Sequence, residues 1–200
     1  MIRFDWPARQ TLVIVAGVVG LVVVLGAGLW YWHNSQERQA AAAYATAMAR
    51  VQQSRAAQSP PAARAAAIRD LETMLQTYPS ASSSPQAAYE LATLKYQDRQ
   101  YAAARGSYEL ALAKGTEGTL RALARLGIGY TWEAERDFSK AATTYQTLVL
   151  DLRPTDALYE EALVDLGRAQ ELAGRKDDAV QTYRRLLKDR PKSPRADDLR

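Results

Sequence analysis

The sequence contains no cysteine and only one histidine among its 200 residues, and both shortages restrict its chemistry. Without cysteine the chain forms no disulfide, offers no thiolate to a metal or a substrate, and has no attachment point for a lipoprotein lipid. The single histidine, His33, directly follows an apolar segment, where a structural role is expected. The chain also lacks a glycine-rich phosphate loop, an HExxH motif and a nucleophile elbow. We therefore predict that the protein is not an enzyme and has no catalytic, metal-binding or cofactor-binding residues.

Phenylalanine is scarce, and charge of one sign does not dominate. Phenylalanine occurs twice, and leucine, alanine and tyrosine supply much of the apolar content, which favours helix packing over a sheet. The 26 basic and 22 acidic side chains leave a net charge of +4, too balanced for a nucleic-acid surface. Adjacent carboxylates such as Glu160 and Glu161 do not share a helix face, so they are predicted to be solvated. The partners expected are other proteins and membrane lipid, rather than nucleic acid or a small-molecule substrate.

Charge is absent altogether from residues 11–32, TLVIVAGVVGLVVVLGAGLWYW. At about 1.5 Å per residue, these residues span roughly 33 Å as a helix, enough to cross a hydrocarbon core of about 30 Å. Arg3 and Arg9 precede the segment, only Arg38 follows it closely, and an aromatic run, residues 30–32, ends it. This pattern predicts a single-pass protein with a cytoplasmic N-terminus and its main domain outside the cytoplasm.

A cleaved signal peptide is the alternative interpretation of this segment. The basic start is present, and the small residues from Gly26 to Gly28 offer a cleavage site. The apolar run is longer than a usual signal sequence, however, and the aromatic run follows the cleavage site. These two features favour a retained anchor.

The rest of the chain repeats a small residue followed by a large one. Successive small residues are 37, 37 and 38 positions apart, and a large residue follows each by four positions. The small residues are Ala67, Ala104, Ala141 and Ala179, and the large ones are Leu71, Tyr108, Tyr145 and Tyr183. A small residue lets two helices approach closely, and a large one fills the space between neighbouring helix pairs. Three of the four copies end in a proline, at Pro79, Pro154 and Pro191.

A large residue beside a small one also marks the preceding helix of three copies. These pairs are Leu91–Ala92, Leu126–Gly127 and Leu166–Gly167. In the middle copy two extra residues separate Gly127 from the next repeated alanine. Either the turn there is longer, or the frame shifts to Gly129 and Trp132.

The last copy, LGRAQELAGRKDDAVQTYRRLLKDRP, resembles the tetratricopeptide repeat, a helix–turn–helix unit. It carries that family's Leu-Gly, turn glycine, alanine, tyrosine and proline at the expected offsets. The resemblance implies a right-handed α-solenoid of about four helix pairs with a concave face. With the single N-terminal transmembrane helix predicted above, the fold class is all-α. We expect a short cytoplasmic tail over 1–10, the span over 11–32, an alanine-rich connecting helix over 33–58 and the repeat domain over 59–200. The residues after Ser193 are predicted to form a terminal capping helix.

In arrays of this family the first helix of each pair lines the concave groove. By register, the protein-binding candidates implied by the resemblance are Tyr89, Thr93, Tyr96, Val164, Arg168 and Glu171, with Tyr130 in the middle copy, whose frame is open. Tyrosine offers a large contact area at small entropic cost, which suits peptide binding. The alternative is that these tyrosines only pack between helices. A clamp for a C-terminal carboxylate needs a set of Lys, Asn and Arg, and only Arg168 is present, which argues against that mode.

The junction LGAGLWYWHNSQERQAAAAYATAM and the domain after it resemble the bacterial ancillary SecYEG translocon subunit family. Members of that family are single-pass inner-membrane proteins with a periplasmic repeat domain. The resemblance implies an inner-membrane location, and translocon subunits, periplasmic chaperones or client polypeptides as partners.

A second resemblance gives an alternative. The joints YPSASSSPQAAYELA, RPTDALYEEALVDLG and RPKSPRADDL resemble those of Tol-Pal-linked cell-division coordinators and of the repeat lipoprotein in outer-membrane barrel assembly. The lipoprotein version fails because there is no cysteine. The division-coordinator version requires cleavage of the N-terminal segment and usually a coiled coil, which the sequence does not show.

Overall fold

The computed structural model describes residues 9–56, 61–191 and 193, and these residues form eight α-helices and no strand. In chain order the helices are α1 (Arg9–Ser54), α2 (Pro61–Thr77), α3 (Ser84–Gln97), α4 (Tyr101–Ala113), α5 (Gly118–Ala134), α6 (Phe138–Asp151), α7 (Tyr159–Leu172) and α8 (Lys176–Asp189). Each helix packs against the next one along the chain. The predicted all-α fold of about four helix pairs is confirmed. The tail before residue 9, the expected boundary between residues 58 and 59, and the predicted cap after Ser193 lie outside the described residues.

α1 joins the apolar segment and the alanine-rich segment in one uninterrupted helix of 46 residues, about 69 Å long. From Ile14 to Trp32 its side chains are exposed. Beyond residue 33 the same helix packs on α2 and buries Ala40, Ala47 and Val51 completely. The exposed part is long and apolar enough to cross a membrane, a property that cleaved signal sequences share. The boundary expected between residues 32 and 33 is therefore not a break in the helix. It is the point after which the side chains of α1 begin to pack against the repeat domain.

The repeated positions of the sequence lie in the core of the array. The repeated alanines are at most 1% exposed, and of the large residues that follow them Tyr183 alone is half-buried, on the last described helix. One apolar cluster spans α1 to α4 and a second spans α5 to α8. A smaller cluster, built on Ala92, Tyr108, Ala124 and Ile128, joins the two. The small residues thus set the close approach of helices that these clusters require.

The turns inside the last three pairs share one backbone conformation. Arg99, Arg136 and Gly174 occupy equivalent positions, 37 and 38 residues apart, and have φ values of 60°, 60° and 77°. This left-handed conformation ends a helix and favours glycine, because a Cβ atom crowds the neighbouring carbonyl. In the second of these turns Asp137 also caps α6, since its carboxylate accepts a hydrogen bond of 3.1 Å from the Lys140 amide. Two copies therefore place arginine where the repeat pattern uses glycine.

Candidate functional site

The first helices of the last three pairs, α3, α5 and α7, form one side of the array. α3 contacts α5 directly in addition to its own partner α4, so the first helices are neighbours on this side. All seven groove candidates from the sequence lie on these three helices. We call this side the inner surface.

Glycines on the inner helices receive tyrosine rings from the second helices. A Cβ atom built on Gly129 would lie under 3.0 Å from the ring of Tyr145, and one on Gly167 would lie equally close to Tyr183. In both cases the tyrosine follows its glycine by 16 residues. Gly129 is therefore the equivalent of Gly167, which selects the second of the two frames that the sequence left open. Gly127 instead receives Tyr108 of the preceding pair.

Two tyrosines of the first inner helix, α3, pack against two tyrosines of its second helix, α4. The rings of Tyr89 and Tyr108 are 5.6 Å apart, and the Tyr108 hydroxyl lies 3.4 Å from Thr93 Oγ1. Tyr89 packs against two of the apolar clusters. Two turns further along α3, the Tyr96 ring lies 5.5 Å from that of Tyr101. Both the packing and the binding interpretations of these tyrosines therefore have a structural basis, with Tyr89 tied to the core and Tyr96 half-exposed.

A carboxylate network joins the second and third inner helices. The Tyr130 hydroxyl of α5 lies 2.9 Å from Glu161 Oε1 and 2.9 Å from Asp165 Oδ2 of α7. Arg168 bridges back, at 2.8 Å from Glu133 and 2.7 Å from Asp165. The network holds three carboxylates and one guanidinium, which contacts Glu133 and Asp165, so it carries an excess of negative charge. We call these five residues the acidic network.

Burial and charge raise the pKa of three groups in or beside the acidic network. Burial raises the pKa of Tyr130 well above its usual value, and the charge of Asp165 raises it further. Burial, followed by the charge of Glu133, raises the pKa of Tyr145 in the same way. Burial also raises the pKa of Glu133, against the lowering effect of Arg168. The Tyr130 hydroxyl therefore stays protonated, and remains a hydrogen-bond donor to the network, well into the alkaline range.

The other candidates of α7 lie around this network. Val164 is partly buried and packs against the apolar cluster of α5 to α8. Glu171 is exposed, and its charge contributes, after burial, to raising the pKa of Tyr183 to about 12. Arg168 keeps 44% of its side chain exposed, so it can contact both the network and a ligand.

The three carboxylates of the acidic network were missed from the sequence. Glu161 was predicted to be a solvated surface charge, but it accepts a hydrogen bond from Tyr130. The available signal was spacing, because Glu161, Asp165 and Arg168 follow one another by four and three residues and so share a helix face. The register predicted from the sequence runs through Val164, which lies on the adjacent face of α7. Of the three residues on the network face, it therefore included only Arg168.

Comparison with known proteins shows the family. Residues 5–196 match the family described as tetratricopeptide repeat-like domain. The chain belongs to this family. A crystal structure of MamA protein is similar, with a TM-score of 0.55, 22% identity and coverage of 67% of each chain, which supports the fold alone. No curated protein sequence matches. Tetratricopeptide repeat-like domains generally bind other proteins and are typically non-catalytic scaffolds, so the inner surface is a candidate protein-binding site.

Proposed function

We propose that this protein is a non-enzymatic interaction module of the bacterial envelope, held at the inner membrane by α1. The observation that carries this proposal is the continuity of α1. The helix that exposes apolar side chains from Ile14 to Trp32 goes on to bury Ala40, Ala47 and Val51 in the first helix pair. A retained apolar segment would attach the repeat domain to the bilayer without a flexible linker.

Retention and orientation are both part of the proposal. The exposed length of α1 and its aromatic end support a retained span, and the arginines before it support a cytoplasmic N-terminus with the repeat domain in the periplasm. Carbonate extraction and protease digestion of spheroplasts test this. We expect the protein to stay in the membrane fraction and its domain to be digested. Release into the soluble fraction, or protection of the domain, would contradict the proposal.

The inner surface is proposed to bind extended polypeptide segments. Arg168 and Glu171 are exposed and Tyr96 is half-buried, and the acidic network adds a negative field that favours segments with lysine or arginine. A photo-crosslinking amino acid at Tyr96 should then capture partners in native membranes. The same group at Leu150, which is 70% exposed on the second helix α6, is the matched control and should capture few.

Two classes of partner are candidates for binding this surface. The resemblance of the junction residues supports translocon subunits, periplasmic chaperones or export clients, and the resemblance of the inter-repeat joints supports a division or envelope-assembly scaffold. Crosslinking from Tyr96 followed by mass spectrometry separates them. Channel subunits among the products support the first system. Septal proteins without any channel subunit would replace it with the second.

A further inference from the structure

The turns that connect one helix pair to the next all lie on one edge of the array, which we call the proximal edge. It consists of residues 78–83, 114–117 and 152–158, together with the residues that end α8. The turns inside the pairs, at residues 98–100, 135–137 and 173–175, form the opposite edge, which we call the distal edge. This division follows from the alternating direction of helices that pack in chain order.

The first proximal turn is fixed beside the end of the apolar segment. Glu37 on α1 accepts a 2.8 Å hydrogen bond from the Ser82 hydroxyl and a 3.2 Å bond from the Ser82 amide. The Tyr78 hydroxyl donates to Gln39, also on α1, at 3.3 Å. Glu37 lies five residues beyond Trp32, about 8 Å along the helix. The proximal edge therefore begins within about two helical turns of the apolar segment.

Direct contacts join the first proximal turn to the second, and the third to the end of α8. Lys114 donates to the Pro79 carbonyl, which joins the second turn to the first. Arg190 at the end of α8 donates to the carbonyls of Pro154, at 2.6 Å, and Asp156, at 3.0 Å. A common edge thus extends from the foot of α1 to the end of α8.

Cations with free surface lie along this edge. A cavity of about 570 Å³ between the second and third turns is lined by Arg121, Arg125 and Arg153. Arg125 pairs with Asp151, while Arg121 donates its Nε to the Thr116 carbonyl at 2.9 Å. Arg153 pairs with Asp156 at 3.1 Å yet keeps 82% of its side chain exposed. The exposed guanidinium groups of Arg121 and Arg153 can hydrogen-bond the phosphates of lipid headgroups.

We propose that the proximal edge faces the bilayer, so that the array extends sideways over the membrane and its inner surface opens parallel to the lipid plane. This rests on the proposed function, because it requires a retained apolar segment. The reason is geometric. An uninterrupted α1 carries the direction of the span into the first helix pair, and the hydrogen bonds of Glu37 fix the first turn at the membrane end of that pair.

Single-cysteine labelling tests the orientation, and the native chain needs no cysteine removed. Ser80→Cys and Thr155→Cys place a fluorophore on the proximal edge. Gln100→Cys places it on the distal edge and Ser139→Cys beside that edge, in the first turn of α6; all four residues are exposed. The full-length protein is reconstituted in vesicles of anionic and neutral phospholipids that include a headgroup-linked quencher. We expect several-fold stronger quenching from the proximal labels. Equal quenching at all four positions, or stronger quenching from the distal labels, would overturn the proposal.

A second variant tests the rigid connection. Seven alanines inserted after Asn34 extend α1 by about 10 Å and nearly preserve its rotation. Quenching of the Ser80→Cys label should then fall several-fold, while circular dichroism stays helical. Unchanged quenching would overturn the proposal. Flotation of the vesicles separates the two proposals: a protein that does not float with the lipid defeats the anchor itself, whereas a protein that floats with equally quenched labels defeats only the orientation.

Discussion

The ring of Tyr145 occupies the space beside Gly129 that any side chain would fill, since a Cβ atom there would approach three ring atoms to within 3.0 Å. Tyr145 is fully buried, and it carries the packing between α5, α6 and α7. The same contact recurs between Gly167 and Tyr183. In each of the last two helix pairs, a glycine–tyrosine contact therefore defines how the first helix lies on the second.

The first prediction concerns this contact. Gly129→Ala should lower the free energy of unfolding by about 1–3 kcal/mol, because the new methyl group overpacks against a fully buried ring. The matched control is Gly106→Ala in α4, where a Cβ atom would meet nothing within 4 Å. The control should raise the free energy of unfolding by about 0.5–1 kcal/mol through helix propensity. Urea denaturation of the full chain in detergent measures both, and equal effects would contradict this account.

The second prediction concerns the left-handed turns. Arg136→Gly should raise the free energy of unfolding by up to about 1 kcal/mol, because the backbone at φ 60° no longer carries a Cβ atom. Gly174→Ala should lower it by about 1 kcal/mol for the converse reason, at φ 77°. Thermal denaturation of the two variants should therefore move the midpoint in opposite directions. A shift of the same sign in both would show that the side chain of Arg136 matters more than its backbone.

The third prediction concerns the acidic network. Tyr130→Phe removes the hydroxyl that lies 2.9 Å from both Glu161 and Asp165 but keeps the ring contact with Tyr145. It should lower the free energy of unfolding by about 1.5–3 kcal/mol, as expected for hydrogen bonds to charged groups.

A matched control for this change is Tyr101→Phe. Tyr101 also packs its ring against that of another tyrosine, Tyr96, at an angle of 58°, and among the described residues its hydroxyl has no hydrogen-bond partner. The control should leave the urea midpoint nearly unchanged. If the two variants unfold alike, the hydroxyl of Tyr130 does not hold α5 to α7.

The fourth prediction concerns alkaline pH. Burial raises the pKa of Tyr108 and of Tyr183 from 10.0 to about 12. The native state therefore holds protons that the unfolded chain releases above pH 10, so this stability is fully present below pH 10 and is lost as the pH rises towards 12. Urea midpoints should fall over this window. The tyrosinate absorbance of the buried tyrosines should appear together with the loss of helical circular dichroism, and titration of all tyrosines near pH 10 in a folded chain would contradict the prediction.

The sequence by itself determined the helical repeat. The periodic alanines, the large residue four positions later and the prolines depend on spacing along one chain, and spacing is what a helix converts directly into a face. The length and composition of the apolar segment are likewise properties of the chain alone. For these features no knowledge of the fold was needed.

Tertiary structure decided the frame of the middle copy and the composition of the inner surface. Gly127 and Gly129 are equivalent as sequence, and only the position of the Tyr145 ring distinguishes them. The bond between Tyr130 and Glu161 joins residues 31 positions apart on different helices. Whether a charged residue is solvated or bound depends on which neighbouring helix faces it, and that is settled when the pairs stack, because each pair buries its face only against the next.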